Sequence, residues 1–480
     1  MILQANSNLT FGDRHFGKAQ LGDQRRTKRL AHSADCFCRH PGGTLPDKFK
    51  SPADLKAFYR LCNSDDVTHA AVLTPHSEHV LEEIGRSRRD VLVLHDSTEL
   101  DYTRHFALDG LGQIGNGHRR GYICHNSLAV DAKSREVWGL LNQVLHHRPK
   151  VPKNETEKQL RERQSRESRV WSEGVSSLPG RRQLIDVCDQ GADVFEFLAK
   201  EFGSGRRFVV RAAHNRAIFV GHDEKSEGAD YLRTYASRLP KSGEYTLQVT
   251  SKREEKSPKK KGKKRTHVRK AREATVCVAA APIRVRPPGK KSGEYANEPL
   301  PLWVVRVWEP KPPKGQERLE WFLLTNEPVT TFEDGYRVVG WYECRWIVEE
   351  YHKALKTGCR IESPQFETED RLQPAIALIS VVALTLLSLR DASRRPDAKK
   401  RLATDFVCND YVEVLSIWRH KRVRPDWSVY DFFFALARLG GHQNRKSDHQ
   451  PGWLVLWRGW TTLQAMLDGA DAAKLLKRCG

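Results

Sequence analysis

Along the first 70 residues apolar positions recur at helical spacing among many bases. In LGDQRRTKRL (21–30), Asp23 is placed to cap a helix that then carries Arg25, Arg26 and Arg29. DLKAFYRLC (54–62) predicts a second short helix, and a further one near 68–85 leads into DVLVLHD. At DVLVLHD (90–96) the pattern changes to a short apolar, β-branched run, the profile of a buried strand. GYICHNSLAVD (121–131) and EVWGLLNQVLHH (136–147) flank a turn at Ala132-Lys133-Ser134 and predict a hairpin beside that strand. The charged stretch 152–177 predicts a helix, RQLIDVCD (182–189) a strand, ADVFEFLAKEF a helix and RFVVRAAH (207–214) a strand. The order is β-β-β-α-β-α-β, with a helix over 332–357 arriving much later.

Residues 215–320 differ in character. EYTLQVTS, TVCVAAAPIRVRPP and PLWVVRVWEP are strand-like, and the lysine-rich run KSPKKKGKKRTHVRKAR (256–272) divides them. This predicts a β-rich insertion with a basic loop, either solvated or placed against phosphates. From 373 onward the pattern is helical. QPAIALISVVALTLLSL (373–389) is uncharged, but its 17 residues fall short of the roughly 20 that span a bilayer. It predicts a buried core helix with Pro374 at its first position.

Residues 341–358, WYECRWIVEEYHKALKTG, predict one amphipathic helix closed by Gly358. At about 100° per residue, and with Tyr342 as zero, Arg345 falls near −60°, Glu349 near −20°, Lys356 near −40° and Lys353 near +20°. Cys344, Ile347, Val348, Tyr351, Ala354 and Leu355 fall on the other side. A solvated face accounts for many polar stripes. It rarely needs Tyr342 and Trp346, and here Glu349 stands among Arg345, Lys353 and Lys356. That set suits an anionic ligand lying along the helix, with one carboxylate kept for a metal or a proton.

Composition narrows the partner. The chain has 480 residues, 81 basic against 60 acidic, for a net charge of +21. Nucleic acid is the leading partner and an anionic membrane the second. Ten scattered cysteines include no C-x-x-C pair; Cys36 and Cys38, with His32 and His40, form a cluster that no second pair completes. MILQANSNLT lacks a basic segment followed by an apolar core, so no signal peptide is expected, and the thiols are read as reduced in a cytoplasmic protein.

Asp96 and Asp189 each end an apolar run, where open α/β sheets place their ligands, and Glu349 is the third carboxylate. Each has a plain alternative. Asp96-Ser-Thr-Glu99 fits a capping box, and Asp189 could start a turn before Asp193 caps a helix. Together they fit phosphoryl transfer, which uses two hard divalent ions about 4 Å apart held by a few carboxylates.

At this point the sequence resembles the DDE transposases of bacterial insertion sequences, in the cut-and-paste, insertion-sequence-four-like group carrying a Y-x2-R-x3-E-x6-K motif. Tyr342, Arg345, Glu349 and Lys356 match every spacing. LGDQRRTKRL, DSTELDYTRH, VCDQGAD, RFVVR, EWFLLTNEPV, RWIVEEYHKALKTG and ARLGG extend the likeness along nearly the whole chain. The resemblance implies an α/β fold: an RNase H-like catalytic core with a β-rich insertion, a helical N-terminal DNA-binding region and a helical C-terminal region. The corresponding domains are 1–70, 71–372 (insertion about 215–320) and 373–480, the last for dimerisation. It implies that Asp96, Asp189 and Glu349 hold two Mg²⁺ ions, with Mn²⁺ able to substitute. Tyr342, Arg345 and Lys356, with Lys353 and Trp346 on the same helix, would lie against the DNA end. Arg211 would stand near the cleaved strand, Trp321 would stack on a flipped base, and Arg25, Arg26 and Arg29 would serve end binding. For Trp321 the plain alternative is a core residue beside Phe322 and Leu323. The expected partners are transposon-end inverted repeats and target DNA, with a homodimer in the synaptic complex, on a bacterial nucleoid and not in a membrane. A structure-specific RNase H-like nuclease and a catalytically silent DNA-binding repressor are the rival readings.

Overall fold

The computed structural model describes residues 9–115, 117–148, 154, 156, 159, 166–222, 228–249, 252–256, 265–269, 271–289, 298–445, 448 and 450–479. The chain forms two compact units, Met1–Leu178 with Trp346–Gly480, and Pro179–Arg345.

The first unit opens with helices α1 (Phe11–Phe16), α2 (Gln24–Arg39), α3 (Leu45–Phe49), α4 (Pro52–Cys62) and α5 (His69–Ser87). Each starts at a side-chain cap, in order Thr10, Asp23, Thr44, Ser51 and Thr68, which accepts from a backbone N–H of its first turn. Such caps each contribute about 1 kcal/mol, which matters most for the short α1 and α3. Strands β1 (Val91–Asp101), β2 (Gly112–Gln113), β3 (Arg120–Asp131) and β4 (Val137–His146) follow, then α6 (Arg169–Ser176). β3 lies between β1 on one side and β2 and β4 on the other, all antiparallel. Of the charged stretch 152–177, only the segment around α6 is described as helix; most of 149–165 lies outside the described residues.

The second unit carries β5 (Leu184–Cys188), α7 (Phe195–Gly203), β6 (Arg207–Arg211), β7 (Ala217–Val220), β8 (Ala229–Tyr231), α8 (Leu232–Arg238) and β9 (Gly243–Val249). It continues with β10 (Lys252–Lys256), β11 (Arg265–Arg269), β12 (Arg272–Val285), β13 (Leu300–Trp308), β14 (Glu320–Thr325) and α9 (Phe332–Glu343). β5 and β6 are parallel, joined through α7. Beyond β6 the order runs β14, β13, β12, β7, β8, with β9 also on β12, so the insertion is antiparallel throughout. β10 and β11 pair as a separate hairpin, and residues 257–264 and 270 of the lysine-rich run lie outside the described residues.

The first unit resumes with α10 (Trp346–Lys353), a π-helical turn (Ala354–Gly358), α11 (Glu369–Arg394), α12 (Asn409–His420), α13 (Val429–Leu439) and α14 (Trp453–Cys479). α11 is the central helix. It packs on β4 and α5, and α13 and α14 pack on it. Among the described residues it is the one helix long and apolar enough to cross a membrane, yet 83% of its most apolar window is buried inside the fold. It begins at Glu369, so Pro374 lies inside the helix and not at its first position as the pattern predicts. An antiparallel β1–β3–β4 set and a parallel β5–α7–β6 pair are the strand sets of an RNase H-like α/β core.

Three local expectations are corrected. The stretch 341–358 is not one helix. α9 ends at Glu343, and the N–H groups of Cys344 and Arg345 close back on Trp341 O and Tyr342 O at 3.1 and 3.0 Å, a tight three-residue step before α10 begins. The wedge computed on one uninterrupted helix therefore does not describe this segment, and Tyr342 is buried, 7% exposed, on the apolar face of α9. Gly358 does not cap the helix. It lies in the π turn, and the left-handed position falls to Arg360, φ 54°. Asp96 does not end its strand: β1 continues to Asp101 because β3 supplies partners as far as Gly121. No helix starts there, so Asp96 and Glu99 form no capping box.

Candidate active site

In the first unit α10 packs against β1, the strand that carries Asp96. Asp96 is half-buried, and its Oδ1 accepts from the N–H of Ser97 at 2.9 Å. His352, in the last turn of α10, places Nδ1 3.9 Å from Asp96 Oδ2. Glu349 precedes His352 by three residues, so it shares that face of the helix. Glu349 is exposed, unlike Ile347 and Val348, which are buried. Two of the three carboxylates thus belong to elements packed on each other. Lys356 is tied to the same strand: its Nζ donates to Glu99 O at 2.7 Å and pairs with Glu362 Oε1 at 3.2 Å. Lys353 is exposed, and Trp346, 37% exposed, lies beneath the Arg390 guanidinium, 5.4 Å from its ring centre.

The floor under Asp96 is polar and closely packed. His95 and His125 stack at 5.7 Å, His125 Nδ1 meets Ser97 Oγ at 2.9 Å, and Trp171 stands edge-on to His125 at 4.8 Å. Burial pushes His125 well below the ordinary imidazole range, so it is neutral. Burial pushes the neighbouring Cys124 thiol up to about 12, so it stays protonated.

In the second unit Asp189 follows β5 directly, half-buried. Its Oδ1 accepts from Gly191 N at 2.7 Å and caps a short 3-10 turn (Gln190–Ala192). Asp193 does not cap α7. It is buried and accepts from Ala213 N and His214 N at 2.7 and 2.9 Å, binding this turn to the chain after β6. The crossover is held by a buried ion group. Arg206 donates to Asp186 Oδ2 at 2.6 Å and Glu201 Oε1 at 3.0 Å. Removing one partner of such a group leaves a buried unpaired charge, a loss of about 3–5 kcal/mol. Cys188 and Val210 are register partners, so Asp189 and Arg211 leave the same end of the parallel pair. Arg211 pairs with Leu323 on β14, and Trp321, two residues along, lies on the same face. Trp321 is half-buried, with its ring 6.3 Å from Tyr342, and is not a fully buried core residue like Phe322 and Leu323. Arg345 is half-buried in the step after α9. This unit therefore carries Asp189, Arg211, Trp321, Tyr342 and Arg345, with Asp189 and Arg211 at one end of the parallel pair and Trp321 beside Tyr342.

The N-terminal arginines are placed on α2, each beside an aspartate: Arg25 with Asp23 at 2.8 Å, Arg26 with Asp66, and Arg29 with Asp54 at 2.6 Å. Exposed pairs of this kind contribute about 0–1 kcal/mol, so phosphate can compete for the guanidinium groups. His352, Asn126 and Gln143 were not singled out from the sequence. The available signal was His352 at i+3 from Glu349.

Among the described residues no three His, Cys, Asp or Glu side chains stand close enough to cage an ion, and Cys36 meets only His32, Sγ to Nε2 3.6 Å, within its cluster. The donor chemistry nevertheless fits a hard divalent cation, because Asp96, Asp189 and Glu349 offer carboxylate oxygen alone.

Residues 10–67, covering α1–α4, match the transposase DNA-binding family model, and residues 87–386 match the transposase DDE domain. The second match spans well over half of the chain, which therefore belongs to the DDE transposases of insertion-sequence type. It is a DNA transposase: an enzyme with a DNA-binding region ahead of an RNase H-like DDE core. DDE domains generally work with divalent metal ions, and the partner is DNA.

Proposed function

We propose that the chain is a cut-and-paste transposase that uses Asp96, Asp189 and Glu349 as its metal-holding carboxylates. The observation that supports this is the packing of α10, which carries Glu349, on β1, which carries Asp96, within the residues that match the DDE domain. Two Mg²⁺ ions, or Mn²⁺ in their place, would supply Lewis acidity and lower the pKa of water. Water cleaves one strand at the transposon end and leaves a 3′-OH. That hydroxyl attacks the opposite strand and closes a hairpin, releasing flanking DNA. A second water opens the hairpin, and the 3′-OH then attacks a target phosphodiester. Every step is an in-line phosphoryl transfer.

The chain's own residues position the DNA. Arg345, Lys353 and Lys356 neutralise end phosphates, Tyr342 and Trp346 lie by the backbone, and Arg211 steadies the strand being cut. Trp321 offers an indole face to a base displaced from the hairpin, which bends too sharply to keep every base stacked. Arg25, Arg26 and Arg29 read the terminal repeat from the 1–70 region, 71–372 performs catalysis, and 373–480 supports a homodimer that bridges two ends at the nucleoid of a bacterial cytoplasm.

The test is incubation of the full chain with a labelled terminal repeat, recovered from DNA flanking the coding region, and Mg²⁺. Joined products are expected; cut products alone would make the chain a nuclease, and a shifted but intact band a repressor. Asp96→Ala, Asp189→Ala and Glu349→Ala should each abolish nicking while end binding persists. Retained cleavage in any of them removes that residue from the site.

A further inference from the structure

The register of the first unit aligns three polar side chains across three strands. Asp96 on β1 is the partner of Asn126 on β3, and Asn126 is the partner of Gln143 on β4. Cross-strand partners share a sheet face, so these three form one row. Asn126 and Gln143 are buried, 0% and 4% exposed, where polar groups need defined partners.

The hydrogen bonds fix the direction of this row. His69, at the start of α5, meets Gln143 Oε1 through Nε2 at 2.9 Å. Gln143 Nε2 donates to Asn126 Oδ1 at 2.7 Å and to Ser380 Oγ of α11 at 2.9 Å. Asn126 Nδ2 meets His352 Nε2 at 3.1 Å. With Asn126 Oδ1 accepting from Gln143, Nδ2 is the end of the amide that faces His352, and it lies on the side of Cys124 O, 3.4 Å away, a carbonyl that can only accept. His352 Nε2 is therefore an acceptor. In the neutral ring the proton then sits on Nδ1, the atom 3.9 Å from Asp96 Oδ2. That distance is beyond a hydrogen bond, which requires about 2.7–3.2 Å. Contacts in catalytic sites often close only when the site is loaded.

We infer that His352 is a positioning residue. Its tautomer is set by the buried Gln143–Asn126 row, and its Nδ1–H turns the Asp96 carboxylate so that the other oxygen faces the metal. This rests on the reading of Asp96 as a metal holder. Groups that orient a ligand in this way typically govern metal affinity by about 10–100-fold. The row also gives Asn126 a purpose. A buried amide is hard to accommodate in a sheet core unless its polarity is used.

The experiment is Mn²⁺ titration of the full chain, followed by electron paramagnetic resonance, for the wild type, Asp96→Ala, His352→Ala, His352→Asn and Asn126→Ala. Circular dichroism melting runs alongside. His352→Ala should weaken Mn²⁺ binding about 10–100-fold with an unchanged melting temperature. His352→Asn, whose amide nitrogen stands where Nδ1 stood, should recover most of the affinity. Asn126→Ala leaves the imidazole but not its orienting donor, and should weaken binding in the same direction; it decides the matter if His352→Ala melts early. Wild-type Mn²⁺ affinity in His352→Ala, or equal losses in His352→Ala and His352→Asn, overturns the inference. Wild-type affinity in Asp96→Ala would instead overturn the placement of the metal itself.

Discussion

Acid should loosen the first unit through a pair of buried histidines. His15 of α1 and His76 of α5 meet Nδ1 to Nδ1 at 3.0 Å, and His76 Nε2 accepts from the N–H of Leu140 on β4 at 3.1 Å. Since Nε2 accepts, the His76 proton lies on Nδ1 and is donated to His15. Both rings are neutral, and protonating His76 at Nε2 would set a donor against the Leu140 N–H. Burial, together with the charges of neighbouring histidines, pulls His76 from 6.5 down to about 3 and His15 well below the usual imidazole range. A folded value below the unfolded one means that the unfolded chain binds the proton first. The stability is complete above pH 6.5 and falls as pH drops from there toward 3. The slope is about 1.4 kcal/mol per pH unit for one such group, so His76 alone should remove about 2 kcal/mol between pH 6.5 and pH 5. His15 adds to this in the same direction. Urea unfolding followed by tryptophan fluorescence near pH 7.5 and near pH 5 measures the loss. His76→Gln, whose amide can face the Leu140 N–H without titrating, should flatten the pH dependence. The same pH dependence in wild type and His76→Gln would refute the reasoning.

Other outcomes follow from the sites. Arg345→Ala and Lys356→Ala should each lower the log–log salt slope of end binding by roughly one unit, measured by fluorescence anisotropy; an unchanged slope would mean that neither touches phosphate. Trp321→Ala should spare the first nick and reduce hairpin formation on a labelled end, because only the hairpin needs a base held aside at a few kcal/mol; equal loss of both steps would point to a packing role. Gly459 of α14 crosses α13 so closely that a Cβ would stand 1.9 Å from Leu436 O. Gly459→Ala should therefore cost roughly 1–3 kcal/mol, seen as a lower urea midpoint, and an unchanged midpoint would mean that the crossing can open.

What the sequence determined by itself was local. The Asp23 cap, the apolar run of β1, the β5–α7–β6 alternation and the burial of α11 follow from spacing and side-chain type, and all stand where the pattern puts them. Asp96 and Asp189 drew notice for the same reason, each at the close of an apolar run, and Glu349 by its place among bases on an amphipathic stretch; their joint role as a metal set belongs to the proposal. Tertiary structure decided what spacing cannot carry. Period says that 341–358 is helical but not that the chain steps at Cys344, because that step is made where α9 and α10 pack into different units. An apolar run marks where a strand is buried, not how far its partner extends, so Asp96 became a mid-strand residue once β3 was long enough to pair to Asp101. Asn126, Gln143 and His352 carry no local signal at all. They meet because antiparallel register sets Asn126 opposite Asp96, and because a helix more than 200 residues later in the chain lays His352 over that pair.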